Sequence, residues 1–109
     1  MPRFLTIGYG DEAGYNATPA AVRDAAHAHD ARLTREGAIT SVLGAPVSVT
    51  NKHDRGVTTT PGPFMRADLP VAGFSLIEAE SLEDAVAMVS KTPCAVADGV
   101  VEVWPLQED

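Results

Sequence analysis

Residues 71–89 read VAGFSLIEAESLEDAVAMV and pass from strand character to helix character within one segment. Phe74, Leu76 and Ile77 give residues 71–79 the apolar content of a strand. Ser81 follows with a side chain that suits the N-cap of a helix. The helix that begins there repeats apolar side chains at helical spacing, at Leu82, Ala85, Val86 and Val89. The segment therefore predicts a strand followed at once by an amphipathic helix.

The first third of the chain carries the same pair of elements. Apolar side chains alternate with others over residues 3–9, which is the period of a strand. Thr18 and Pro19 then suit the start of a helix, and Gly37 suits the position after its end. We therefore predict a helix over residues 19–36. Its inward face consists of Val22, Ala25, Ala26, His29 and Leu33.

The remaining segments complete the pattern. Residues 38–50 have strand composition, and Pro46 within them predicts a bulge or an edge position. Residues 58–70 contain three prolines and predict an ordered loop with at most a short strand. A last strand is expected over residues 100–106, and a solvated tail at residues 107–109.

This order predicts an α+β fold, a single domain over residues 1–109 with a ferredoxin-like βαββαβ arrangement. Two helices would cover one face of an antiparallel sheet and leave the other face in need of a cover. A homodimer that packs two bare sheet faces together would supply that cover. We therefore expect a second copy of the chain to be its partner.

Composition and charge exclude several classes of function. Fifteen acidic side chains against eight basic ones give a net charge of -7, which repels phosphate backbones and anionic lipids. No segment has the apolar length of a membrane span or of a signal-peptide core. Cys94 is the single cysteine, which excludes an internal disulfide and a cysteine-based zinc site, and we expect it to be a small buried hydrophobe. We expect a soluble cytoplasmic protein without a nucleic-acid partner, a membrane partner, a metal ion or a cofactor.

Two segments near residue 70 resemble a known family. Residues 60–64, TPGPF, and residues 73–77, GFSLI, are similar to the Asp-Gly-Pro-Phe signature and the following Gly-aromatic strand of the YCII-related, DGPF-type family. Residues 8–12 and 102–106 resemble the family's opening and closing patterns. The resemblance implies a ferredoxin-like fold of the dimeric α/β-barrel type, with a cleft beside the sheet and a histidine on the first helix. Most members have no assigned reaction.

The resemblance carries the family histidine onto His29, because HDARL at residues 29–33 resembles the His-x-Ala-Arg-Leu form of some members. Counted back from Gly37 instead, the histidine position would fall near Ala26. The family's usual polar residues are replaced at four positions, Pro61, Arg66, Asp68 and Trp104. The resemblance therefore implies the fold more fully than the activity.

His29 is the candidate catalytic residue. An inward imidazole can act as a general acid and base, and Asp68 could orient it. Arg66 could bind a substrate carboxylate. The other candidates for substrate binding are aromatic: Tyr9, Phe64 and Trp104.

A structural interpretation competes with each of these roles. His29 could be a buried histidine bonded to a backbone carbonyl or a loop side chain, since its own helix offers only Ala25 and Leu33 four residues away. Arg66 and Asp68 could face solvent. Tyr9 and Trp104 could belong to the core or to a dimer interface.

Two other patterns lead to no site. His27 and His29 cannot share a metal ion, because two residues set them roughly 200° apart on a helix. His27 lies between Asp24 and Asp30, so we expect it on a solvated acidic face and give it no role. Residues 8–13 match the GxGxxA pattern of dinucleotide-binding loops, but the predicted helix starts too late and the chain is too short for a doubly wound sheet.

Two functions follow from the sequence as alternatives. The first is a small-molecule-binding domain with histidine acid/base chemistry on a small carbonyl or carboxylate metabolite. The second is a non-catalytic dimeric structural or regulatory domain with a degenerate family site. The surroundings of His29 should separate them, because an open cleft beside Asp68 favours chemistry and a filled apolar pocket favours structure.

Overall fold

The computed structural model describes residues 1–108, which form two sheets and four helices. The strands are β1 (Arg3–Tyr9), β2 (Ile39–Val42), β3 (Val47–Thr50), β4 (Thr58–Pro61), β5 (Val71–Glu78) and β6 (Val100–Pro105). The helices are α1 (Glu12–Ala17), α2 (Ala20–Arg35), α3 (Leu82–Val89) and α4 (Pro93–Val96), and a 3₁₀ turn covers Lys52–Asp54.

The main sheet has the strand order β2-β5-β1-β6, and all of its neighbouring strands are antiparallel. Its central strands pair from Arg3 opposite Glu78 to Tyr9 opposite Val71, with an irregularity after Gly8. Strands β3 and β4 form a separate hairpin. The predicted α+β class and antiparallel sheet are therefore confirmed, and the sheet is compatible with a ferredoxin-like fold.

The buried core lies between α3 and one face of the main sheet. It consists of Phe4, Ile77, Ala79, Ala85 and Val89. Phe4 and Ile77 lie opposite each other on β1 and β5, and α3 begins where predicted, with the Ser81 hydroxyl accepting a hydrogen bond from the Asp84 amide. The predicted stripe of α3 is only half buried, because Leu82 and Val86 remain about half exposed.

Helix α2 agrees with the predicted residues 19–36 to within one residue at each end, but it packs differently from the prediction. Its main contacts are with α4 rather than with the sheet. Of the predicted inward face, only Ala26 and Leu33 are buried, and Val22 is 41% exposed. This packing leaves space between α2 and the sheet.

The sequence did not predict α1, and Thr18 does not have the predicted role of N-cap of α2. The Asp11 carboxylate caps α1 by accepting a hydrogen bond from the Gly14 amide at 2.8 Å. Thr18 does not cap α2: it ends α1, and its hydroxyl donates to the Gly14 carbonyl at 2.8 Å. The aspartate cap thus offsets the low helix propensity of the glycine.

Residues 38–50 form two strands rather than one, and residues 58–70 contain the short strand that the sequence left open, at Thr58–Pro61. Pro46 lies in the break between β2 and β3, where its missing N–H removes no ladder bond. Its carbonyl accepts a hydrogen bond from the Gly62 amide at 3.0 Å, which closes the base of the hairpin. The partner strand of β3 is thus supplied by a segment that the prolines had marked as a loop.

No helix of residues 1–108 covers the sheet face opposite the core, although residues 65–69 lie against its Tyr9 end. Leu5, Leu76 and Trp104 lie in one row on it, because they alternate with the core residues along their strands. Ile39 continues this row at the edge and is 61% exposed, and Trp104 is 51% exposed. The molecule therefore presents an apolar sheet face without a helix over it.

The C-terminal tail lies at the surface as far as residue 108. Gln107 and Glu108 are exposed as predicted, and Glu108 pairs with Arg3 at 2.7 Å. Asp109, the last residue of the predicted tail, lies outside the described residues. None of the helices in residues 1–108 is both long enough and apolar enough to cross a bilayer.

Candidate functional site

A cleft of about 550 Å³ lies between the main sheet and the helices that the chain folds over it. Its volume is within the range of metabolite-sized sites. We call it the helix-side cleft. Its floor comes from β1, β2 and β5, and its walls come from α1, α2 and the segment around α4. The residues that line the cleft include Thr6, Asp11, Glu12, Tyr15, His27, Asp30, Thr40, Ser75 and Cys94.

Two glycines keep the floor open. Gly8 and Gly73 lie opposite each other on β1 and β5. A Cβ atom added at Gly8 would come to 2.9 Å from the Cys94 Sγ, and one at Gly73 would come to 2.6 Å from the Ser41 carbonyl oxygen. Side chains at these positions would therefore collide with the wall or with the neighbouring strand.

The polar floor consists of three hydroxyl groups, each of which donates a hydrogen bond within the sheet. Thr6 donates to the Ser75 carbonyl at 3.3 Å, and Thr40 donates to the Phe74 carbonyl at 2.9 Å. Because the Thr40 hydroxyl donates its only proton to that carbonyl, the Ser75 hydroxyl must be the donor in the 2.9 Å bond between the Ser75 and Thr40 hydroxyls. With their protons directed into the sheet, the hydroxyl oxygens present lone pairs to the cleft, so the floor favours a ligand that donates hydrogen bonds.

Tyr15 and His27 form a hydrogen-bonded pair in the wall of the cleft. The Tyr15 hydroxyl lies 2.7 Å from the His27 Nε2, and their rings meet edge to face at 5.8 Å between centroids. The Arg23 guanidinium lies 5.0 Å from the centroid of the Tyr15 ring and holds its other side. A phenol bonded to an imidazole can relay a proton, which is the chemistry that the sequence assigned to His29 instead.

Carboxylates give the helix-side cleft a negative character. Asp11, Glu12 and Asp30 are among its lining residues. Their charges oppose the entry of an anion and favour a cation or a neutral donor.

Cys94 faces Gly8 in the same wall and is half buried. Burial, and then the negative charge of Asp30, raise the pKa of the Cys94 thiol above its ordinary value. The thiol therefore stays protonated near neutral pH, which agrees with the small apolar role that the sequence predicts.

His29 connects two helices and lines neither of the clefts described for residues 1–108. Its Nε2 lies 2.6 Å from the Met88 carbonyl, and its Nδ1 is bonded to the Arg32 guanidinium. The carbonyl can only accept and the guanidinium can only donate, so Nε2 is the donor and Nδ1 the acceptor of these two bonds. The partner from another element is as predicted, but α2 also supplies one, Arg32, which the sequence argument overlooked.

A second cleft of about 450 Å³ collects several of the residues that the sequence assigned to a site. We call it the open-side cleft, because Tyr9 lines it while the preceding residue, Gly8, lines the other. Arg66 and Asp68 lie here with Tyr9, Met65, Leu69, Val100 and Glu102. The predicted pairing of Asp68 with His29 is absent from the bonds of His29.

Glu102 is bonded to two aromatic side chains, Tyr9 in the open-side cleft and Trp104, which lines neither cleft. Its Oε1 accepts a hydrogen bond from Tyr9 at 2.7 Å and a longer one from the Trp104 Nε1 at 3.4 Å. The hydrogen bond to Glu102, and then burial, raise the pKa of the Tyr9 phenol. Phe64 is 90% exposed and lines neither cleft.

The sequence assigned no role to the residues of the helix-side cleft. His27 was expected on a solvated face, and it is indeed exposed, but its ring nitrogen is bonded to Tyr15. The alternation of β1 could have placed Thr6 and Gly8 on one face. Nothing in the spacing brings Tyr15 to His27, because that contact depends on α1.

No family model matches the chain, and none of the curated proteins matches it either. The candidate site therefore depends on its own geometry.

Proposed function

We propose that the chain binds a compact, largely apolar small molecule in the helix-side cleft, by a group that donates hydrogen bonds. The observation that carries this proposal is the floor of three hydroxyl oxygens, all of whose protons are committed within the sheet. The carboxylates of Asp11, Glu12 and Asp30 favour an amine or a hydroxyl group over a carboxylate.

Acid/base chemistry on a carbonyl compound that also carries a hydroxyl or amine donor is the activity that the Tyr15–His27 pair supports. A ligand proton on the carbon next to the carbonyl can pass to the Tyr15 oxygen while the phenol proton passes to the His27 Nε2, and the electron pair of the broken C–H bond moves into the carbonyl to form an enolate. The imidazolium that results would be stabilised by the carboxylates in the same cleft. This assigns to His27 the role that the sequence gave to His29.

Three probes with one ring and different polar groups test the binding proposal: benzylamine, benzyl alcohol and benzoate. We expect the first two to raise the melting temperature of the chain, because a ligand that binds the native state stabilises it, and benzoate to leave it unchanged. Thr6→Val should abolish the effect, whereas Thr59→Val, at an exposed threonine, should retain it. Equal stabilisation by benzoate would contradict the proposal.

Deuterium exchange into the methyl group of 4-hydroxyacetophenone, a ketone whose phenol group can donate a hydrogen bond to the floor, tests the chemistry. We expect the wild-type chain to accelerate the exchange over buffer and His27→Gln to lose the acceleration, with His53→Gln as the matched control. Acceleration that survives in His27→Gln would remove the pair from the mechanism.

A non-catalytic homodimer is the second candidate, and the uncovered apolar face of the main sheet favours it. Leu5, Leu76 and Trp104 form a row that two copies could bury against each other. The bond of His29 to a backbone carbonyl supports this reading, since a structural histidine needs only such a partner. A sheet-to-sheet dimer would make the fold a ferredoxin-like one of the dimeric α/β-barrel type.

We also propose that the chain belongs to the YCII-related family and that it is located in the cytoplasm. The family is supported by the resemblance at residues 60–64 and 73–77, and the location by the single cysteine. The charge of -7 supports the absence of a nucleic-acid partner.

A further inference from the structure

The hairpin of β3 and β4 is an arm that leaves the body of the molecule. We define the arm as residues 44–63. Among residues 1–108, its strands make extensive contacts only with each other. The radius of gyration of 15.8 Å exceeds the value of about 13 Å that a compact chain of this length would have. The molecule measures 52 × 39 × 20 Å, which agrees with a projecting arm.

The arm has one apolar face and one polar face. Val47 lies opposite Pro61 and Val49 opposite Thr59, whereas the alternate pairs join serine and threonine residues only. Val47 and Val49 are 61% and 62% exposed. Because an isolated two-stranded hairpin is at best marginally stable in water, the apolar face needs a cover that its own chain does not supply.

The charge of the arm indicates which kind of surface could cover its apolar face. Lys52 and Arg55 outweigh Asp54, so the arm carries +1 and the rest of the chain carries -8 of the net -7. The tip that carries these charges is a defined turn: the Asn51 side chain accepts a hydrogen bond from the Gly56 amide at 3.0 Å and donates to Asp54 at 3.2 Å. A basic tip on an acidic body complements a second copy of the same body.

We propose that the arm clasps a second copy of this chain, with Val47 and Val49 packed on the partner and Lys52 and Arg55 against its acidic surface. A two-fold axis would make the contact reciprocal, so that each copy both gives and receives an arm. The free outer edges of β3 and β4 would then be shielded from uncontrolled pairing. This goes beyond the proposed function, because the helix-side cleft contains no residue of the arm.

A photo-crosslinking amino acid at Val49, compared with one at the neighbouring Thr50, tests which face meets the partner. We expect irradiation of the purified chain to give a band at twice the chain mass from position 49, and little or none from position 50. Mass spectrometry of the band should locate the crosslink in a second copy. No dimer band from position 49, or equal bands from both positions, would overturn the proposal.

Charge reversal tests the tip. We expect Lys52→Glu with Arg55→Glu to raise the dissociation constant of the dimer at low salt about tenfold, as measured by analytical ultracentrifugation. Arg35→Glu with Lys91→Glu makes the same charge change on the body and should not weaken the dimer. Equal weakening by both pairs would overturn the role of the tip.

The two proposals fail separately. The arm variants should keep the response to benzylamine, since Val49, Lys52 and Arg55 do not line the helix-side cleft. A chain that forms dimers without a crosslink from position 49 would overturn the arm and leave the sheet-face dimer in place.

Discussion

At the scale of single residues, the helix-side cleft depends on small side chains rather than on reactive ones. Gly8 and Gly73 leave the space, and the hydroxyl groups of Thr6, Thr40 and Ser75 give it polarity without charge. Each of these residues is unremarkable in a strand by itself. Their effect comes from register, which sets them side by side on one face.

Substitution of Gly73 by alanine should destabilise the fold. The new methyl group would lie 2.6 Å from the Ser41 carbonyl oxygen, so β2 must move away from β5. We expect a loss of about 1–3 kcal/mol in the free energy of unfolding, which is the usual cost of overpacking. Urea denaturation measures it, and Gly44→Ala is the control because nothing lies within 4 Å of a methyl group there. Equal stability of the two variants would contradict the close packing of β2 on β5.

Cys94 should react slowly with alkylating reagents until the pH is above 9.0, its ordinary pKa, because burial and Asp30 raise the pKa of the folded thiol. The folded chain holds this proton more tightly than the unfolded chain. The resulting stability is therefore complete below pH 9.0 and is lost as the pH rises through the raised pKa. Iodoacetamide labelling against pH, with Asp30→Asn for comparison, measures the shift. A midpoint below pH 9.0 in the wild type would contradict it.

The histidines show how far residue-level prediction can go. Helical spacing placed His29 on the inner side of α2 and predicted that it needs a partner from outside its helix, and Met88 is that partner. Spacing could not reveal that His27 meets Tyr15, because a short helix brings them together. Gly10 before that helix and Gly14 within it argued against a helix there. The acidic neighbours of His27 in sequence suggested solvent alone.

At the scale of elements, the parts with local signals were predicted and the parts that depend on distant pairing were not. The cap at Ser81 and the strand before it are readable in one segment, and both are present. The arm is different, since β4 is a strand only because β3 lies beside it, and three prolines between residues 58 and 70 pointed to a loop. Tertiary pairing overrode local preference there.

The cap of α3 gives a prediction at this scale. Ser81→Ala removes the acceptor for the Asp84 amide, which lies 3.1 Å from the Ser81 hydroxyl. We expect a loss of about 1 kcal/mol in the free energy of unfolding. Ser90→Ala at the other end of the helix should cost less, because its hydroxyl only donates to the Ala87 carbonyl, which water can replace. A larger loss from Ser90→Ala in urea denaturation would contradict the capping role.

At the scale of the whole molecule, the two faces of the main sheet have different surroundings. One face carries the helices, the core and the helix-side cleft, and the other is largely apolar and has no helix over it in residues 1–108. The sequence predicted this asymmetry from the order of elements. It did not predict the helix-side cleft, because that cleft depends on α2 packing against α4 rather than against the sheet.

A lysine at position 76 should prevent a dimer that buries the open face. Leu76 lies in the centre of its apolar row, opposite both Leu5 and Ile39, so a charge there would be desolvated in the dimer. We expect Leu76→Lys to halve the mass found by light scattering, whereas Val86→Lys on the exposed side of α3 should keep it. The same mass for both variants would contradict a dimer through this face.

The central claim is that the helix-side cleft, and not the open-side cleft, receives a donor ligand. Titration of the ¹⁵N-labelled chain with benzylamine, followed by amide chemical shifts, tests it most directly. We predict that the largest shifts belong to Thr6, Gly8, Gly73 and Ser75, which form the floor. Shifts confined to Tyr9, Arg66 and Glu102 would move the site to the open-side cleft and contradict the account.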